Sequence, residues 1–222
     1  MLAIFKREFK SYFQNVIGWL FVAALLAVYG LYFYVYNLKN GYPYISYDLK
    51  GIGFIMMIAV PILTMRSLSD EKKTKTDQLM LTSPVSVGKI VAGKYFAMAA
   101  VYTIDIALFA LSPLVLSIYG KVALSEAYVA LFGYWLYGLS CIAVGLFISS
   151  ISESVIISAI LTFAALFLSY MMQSITGLIS SSGNLLTKVL NCFDLYTPFE
   201  NFVSGCFSVT SAAYYVTVTL LL

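Results

Sequence analysis

Residues 88–95, Gly-Lys-Ile-Val-Ala-Gly-Lys-Tyr, miss the phosphate-binding loop of nucleotide-hydrolysing proteins by one position. That loop ends in Ser or Thr to hold magnesium and follows a β-strand. Here Tyr95 stands last and the segment opens a long apolar run, so this chain is not expected to bind a nucleotide. Histidine is absent, and Cys141, Cys192 and Cys206 show no metal-ligand spacing. Neither a zinc site nor a thiol–histidine catalyst is expected. Cys192 and Cys206 are either disulfide-bonded or two free thiols. No catalytic residue and no metal ligand emerges, and the chain reads as a non-enzyme without a cofactor of its own.

The remaining candidates are charges in an apolar chain. Arg66 to Ser86, RSLSDEKKTKTDQLMLTSPVS, is the longest charged stretch. Its 67–82 portion has helix signals. Ser67 or Ser69 can cap the start, and Asp70 and Glu71 sit in the first turn, where the helix dipole favours anions. Glu71 with Lys75, and Lys73 with Asp77, are spaced i,i+4. Leu68, Leu79, Met80 and Leu81 give an apolar edge, and Ser83-Pro84 ends the helix. Asp105 falls near the middle of an apolar run. An ionisable group there is a functional candidate, or is hydrogen-bonded to a Ser, Thr or Tyr of a neighbouring helix, such as Thr103 or Tyr102 in a partner subunit. Glu200, after Pro198, lines an exit or caps a short helix. Glu153 lies in the tight polar turn SSISES, residues 149–154.

The elements that position these residues are membrane helices. Hydrophobic residues make up 61% of the chain and charged residues 10%, against about 25% charged in soluble domains. Long apolar runs without alternation favour helices over barrel strands. The expected fold is all-α and polytopic, with six spans: 16–36, 51–65, 90–119, 128–148, 155–172 and 211–222. The last is too short to cross a bilayer, which takes ~20 residues, and the natural chain is expected to continue past Leu222. Residues 1–15 read as an amphipathic interfacial helix, with Leu2, Phe5, Phe9, Tyr12 and Val16 on one stripe. Residues 173–210, rich in Ser and Gly, read as an external segment.

Basic residues set the expected orientation. With the N-terminus inside, the inner segments hold nine of the 13 Lys and Arg, leaving Lys39, Lys50, Lys121 and Lys188 outside. The positive-inside rule then makes 67–82 and 149–154 cytoplasmic and the protein a multi-pass component of the cell's inner or plasma membrane.

Residues 70–97, DEKKTKTDQLMLTSPVSVGKIVAGKYFA, resemble the segment after the second span in ABC type-2 transporter permeases. The match rests on Asp70, Glu71, Thr76, Leu79, Leu81, Thr82, Pro84, Ser86, Gly93 and Lys94. Residues 5–13 (FKREFKSYF) resemble the family's connecting helix, 145–154 (GLFISSISES) its turn between the fourth and fifth spans, and 193–205 (FDLYTPFENFVSG) its external segment. The nearest likeness is to the gliding-motility and copper-maturation type. The resemblance implies the permease half of an exporter working by alternating access. Residues 67–82 would be the coupling helix, meeting an ATPase subunit through Ser69, Asp70, Glu71, Lys72, Thr76, Leu79, Leu81 and Pro84, with Glu153 as a second contact. It also implies two ATPase subunits carrying ATP and magnesium, a second permease chain, identical or homologous, and no nucleic-acid partner. The competing reading is a non-transport scaffold or sensor that recruits a cytoplasmic partner through the same helix. A secondary transporter fits less well, because no inverted repeat is visible and intramembrane charges are sparse.

Overall fold

A computed structural model describes residues 2–75, 86–120, 122–179 and 193–222. Thr76, Leu79, Leu81, Pro84 and Cys192 from the sequence reading lie outside the described residues. So do the second half of the expected 67–82 helix and residues 180–192 of the 173–210 segment. The helices are α1 (Leu2–Gln14), α2 (Val16–Phe33), α3 (Ser46–Thr64), α4 (Ser69–Lys73), α5 (Val87–Phe109), α6 (Ser112–Tyr119), α7 (Leu124–Ile151), α8 (Val155–Ile179), α9 (Thr197–Val203) and α10 (Val209–Leu221). A π-helical turn, Tyr34–Lys39, extends α2. No strand occurs among the described residues.

Among the described residues, five helical segments are long and apolar enough to cross a membrane: Val16–Lys39, Ser46–Lys73, Val87–Tyr119, Leu124–Ile151 and Val155–Met172. The 13 residues of α10 reach only ~20 Å at 1.5 Å per residue, short of a ~30 Å hydrocarbon core. Ile156, Ile157, Ile160 and Leu168 of α8 are exposed, an arrangement suited to lipid rather than water.

The third segment is broken where Pro113 requires it. Proline has no N–H to offer the carbonyl four residues back, and that carbonyl belongs to Phe109. The Ser112 hydroxyl donates to it at 2.7 Å, as backbone in an apolar setting demands. Ser112 also bonds the Tyr29 hydroxyl of α2. The link between α2 and α3 holds a second buried polar pair. The Asn37 side-chain amide donates to the Asp48 carboxylate, and both residues are buried. In the sequence both fall between the expected spans 16–36 and 51–65. Packing of the π turn against the first turn of α3 buries them.

Helix α7 is the central element, packed on α3, α5, α8, α9 and α10. An aromatic core surrounds it: Tyr102 of α5, Tyr134 and Tyr137 of α7, Phe199 and Phe202 of α9, and Tyr215 of α10. Tyr102 donates to the Tyr134 carbonyl at 2.7 Å, and Tyr215 to the Leu195 carbonyl at 2.7 Å. Close approach at Gly133, Gly138 and Gly145 of α7 demands glycine. A Cβ on Gly138 would lie 2.3 Å from the Tyr102 ring, and one on Gly145 2.5 Å from Thr64 Oγ1.

Gly138→Ala is therefore expected to lower the thermal unfolding midpoint of the purified protein, by the ~1–3 kcal/mol that overpacking costs. Gly30→Ala, where a Cβ meets nothing within 4 Å, should leave it unchanged or raise it slightly, through a helix-propensity gain of up to about 1 kcal/mol. Differential scanning fluorimetry compares the two.

Candidate functional site

The first turn of α5, the last turns of α3 and α7, and the short α4 meet at one end of the bundle. Lys94, two turns into α5, is only 2% exposed there. Its ammonium donates to the Ser67 carbonyl at 2.6 Å and to Glu71 Oε1 at 2.6 Å, and lies 3.9 Å from Glu8 Oε1 of α1. One cation thus joins α1, α4 and α5. Glu8 also receives Arg7 at 2.8 Å. Phe9, Tyr12 and Phe13 of α1 pack on the core beside it, whereas Leu2 and Val16, the ends of the expected apolar stripe, are exposed. Burial, then the neighbouring Glu8 carboxylate, push the Tyr12 phenol above its usual range.

A serine clasp joins α4 to α7. Ser149 Oγ accepts the backbone N–H groups of Leu68 and Ser69, each at 3.2 Å, and pairs with Ser69 Oγ at 3.0 Å. Ser69 Oγ donates to the Ser149 carbonyl at 3.1 Å and approaches Ser152 Oγ at 3.3 Å. The Lys72 ammonium donates to the Ser150 carbonyl. The orphan N–H groups at the start of α4 are therefore capped by a side chain 80 residues away, rather than by Ser67 or Ser69 as local spacing predicts.

Helix α4 itself spans five residues, Ser69–Lys73. Thr74 turns its hydroxyl back onto the Asp70 carbonyl at 2.8 Å, and Lys75 adopts φ 55°, the left-handed form that closes helices. The described part of the 67–82 segment is thus a short helix with a stop at Lys75, not the start of one unbroken rod. Glu71, spaced for Lys75, is held by the buried Lys94.

Among the sequence-derived residues, the structure brings Ser69, Glu71 and Lys72 together with the 149–152 segment. Asp70 is partly exposed beside them, and Glu153 is exposed just beyond. Asp105 is elsewhere, 11 residues and ~16 Å further along α5. It is fully buried, and neither carboxylate oxygen has a hydrogen-bond partner among the described residues. Within the chain, Thr103 bonds Ala99 and Trp135, and Tyr102 bonds the Tyr134 carbonyl. Glu200 is at the opposite end of the bundle, 3.7 Å from Lys50 of α3. The cap of α9 is Asp194, which accepts from the N–H groups of Tyr196 and Thr197 at 3.0 and 2.9 Å. Sequence reasoning did not single out Glu8, Lys94 and Ser149 as site residues. Glu8 carried a signal, as the only acid on an otherwise basic helix.

A family model described as ABC-2 family transporter protein matches residues 29–222, the whole chain but its first helix and part of its second. No curated protein and no solved structure matches the chain.

Removing one partner of a buried ion pair costs ~3–5 kcal/mol, whereas replacing both by apolar groups is often neutral. Glu71→Leu should therefore destabilise the protein strongly, because it strands the buried Lys94 ammonium, and Lys94→Met less, because the Glu71 carboxylate left behind is partly solvated. The double variant should recover much of the Glu71→Leu loss. A double-mutant cycle on unfolding midpoints reads the coupling, and additive losses would remove Lys94 from its place as the joint.

Proposed function

The chain belongs to the ABC-2 family of transporter proteins, as a multi-pass membrane subunit of an ABC transporter, and we propose that it is the permease half of an exporter of the gliding-motility and copper-maturation type. ATP is bound and hydrolysed, with magnesium, by two separate ATPase subunits, and a second permease chain completes the pathway. The end of the bundle that holds α4 faces the cytoplasm, consistent with the concentration of Lys and Arg there. Helix α1 lies in the membrane interface.

The observation that carries this reading is the double attachment of α4. Glu71 ties it to Lys94 on α5, and Ser69 and Lys72 tie it to the end of α7. A displacement imposed on α4 is passed to two membrane-crossing helices at once, because close-packed elements move as units rather than deforming. Asp70 and Glu153, turned away from these attachments, are the side chains left to meet an ATPase. ATP binding drives the cycle by favouring one of two arrangements of the spans. Asp105, buried without a partner in the crossing segment, is the interior polar group assigned to the pathway.

Two expectations test this. Asp70→Lys should abolish co-purification with the ATPase subunit, while membrane insertion stays normal. Co-purification unaffected by that reversal, or no ATPase recovered with the wild type, favours the scaffold reading. Asp105→Leu should raise the unfolding midpoint, since it removes an unsatisfied buried carboxyl that costs at least ~1–3 kcal/mol, and should lower ATP-dependent transport in reconstituted vesicles. Undiminished transport would remove Asp105 from the pathway.

A further inference from the structure

The end of the bundle opposite Lys94 contains a small polar cavity of about 280 Å³, lined by Tyr44, Ser46, Tyr47, Lys50, Glu126 and Ser204 among others. It lies between the first turns of α3 and α7 and the residues that follow α9. Its volume is at the lower edge of small-molecule sites, which run from ~300 Å³. That suits a headgroup rather than a whole lipid or peptide.

Two opposite charges face this cavity without neutralising each other. Glu126 has neither a hydrogen bond nor an ion pair among the described residues. Its side chain packs over Gly205, which is left-handed (φ 79°) and whose Cβ would lie 3.1 Å from Glu126 Cγ. Lys50 Nζ lies 3.7 Å from Glu200 Oε1, beyond hydrogen-bond reach, so its three donors stay available. Tyr44 and Tyr47 are half-exposed at the mouth, and tyrosine faces attract cations. A purely anionic ligand would meet Glu126, and a purely cationic one would meet Lys50. A ligand carrying both charges a few bonds apart satisfies each.

Depth narrows the source. Tyr42, Tyr44, Tyr47 and Tyr128 are exposed at this end of the crossing helices, and such tyrosines mark the level of the lipid headgroups. We propose that this cavity binds the headgroup of a zwitterionic phospholipid, with the ammonium between Glu126 and the tyrosine faces and the phosphate on Lys50. The site is independent of the ATPase contact at the other end of the bundle.

The test is native mass spectrometry of the detergent-purified full chain with an equimolar mixture of phosphatidylethanolamine and phosphatidylglycerol of identical acyl chains. The wild type is expected to retain the ethanolamine lipid about tenfold over the glycerol lipid, the size of one charge-assisted contact. Glu126→Gln should return the ratio to near one, whereas Lys50→Met should lower retention of both lipids, since both carry the phosphate. Both side chains are exposed, so the fold is expected to survive, and gel filtration verifies it. Glycerophosphoethanolamine is titrated in parallel. If the wild type shows no lipid preference but binds this soluble compound in a manner that needs Glu126 and Lys50, the chemistry stands and the source is soluble. A wild type that neither prefers the ethanolamine lipid nor binds the soluble compound, a preference that survives Glu126→Gln, or lipid retention unchanged in Lys50→Met overturns the proposal.

Discussion

An ammonium taken out of water has to be compensated where it stands, because the cost of its lost hydration exceeds most other terms in a fold. Lys94 meets this demand with the Ser67 carbonyl, in the turn between α3 and α4, and two carboxylates drawn from α4 and α1. Each partner is thereby fixed. Ser67 and Glu71 cannot leave without stranding the charge, so α4 stays against α5. Glu8 brings α1 to the same point. The organisation of this end of the bundle, and with it the geometry of the surface offered to a partner, follows from one buried cation.

The rest of the molecule gives that joint something stiff to act on. Helix α7 runs through the centre with glycine where Tyr102 and Thr64 press closest, and an aromatic core fills the space around its first half. Its last turn supplies Ser149, the residue that clasps α4. Motion entering at α4 is therefore applied to the end of the best-packed helix, not to a loop. The weak points are equally specific. Asp105 sits in the core without compensation, and the break between α5 and α6 at Pro113 is held by the Ser112 hydroxyl. Buried polar groups of this kind are where function is usually placed at the expense of stability.

Much of the crossing architecture was legible from local pattern. Runs of apolar residues locate the five long helices to within a few residues, and the family resemblance carried by residues 70–97 agrees with the family match over 29–222. What local pattern misjudged has a common cause. Asn37 and Asp48 look like loop residues until the π turn and α3 pack together and bury them. Glu71 looks like half of an i,i+4 pair with Lys75 until Lys94 takes it. Ser67 and Ser69 look like helix caps until Ser149 supplies the cap from another helix. In each case a partner distant in sequence outweighed the near one, because burial strengthens a polar contact that solvent would screen.

The sequence by itself determined that this chain is a bundle of membrane helices, since apolar length is a property of contiguous residues. It also determined that the charged stretch after the second crossing helix is distinctive. Only the tertiary structure decided which of those charges are tied into the bundle and which make no contact there. Glu71 and Lys72 turn into the bundle, Asp70 and Glu153 do not, and the helix stops at Lys75. That division depends on where Lys94 and Ser149 arrive in space, which is set by how the helices pack and not by the residues alongside them in the chain.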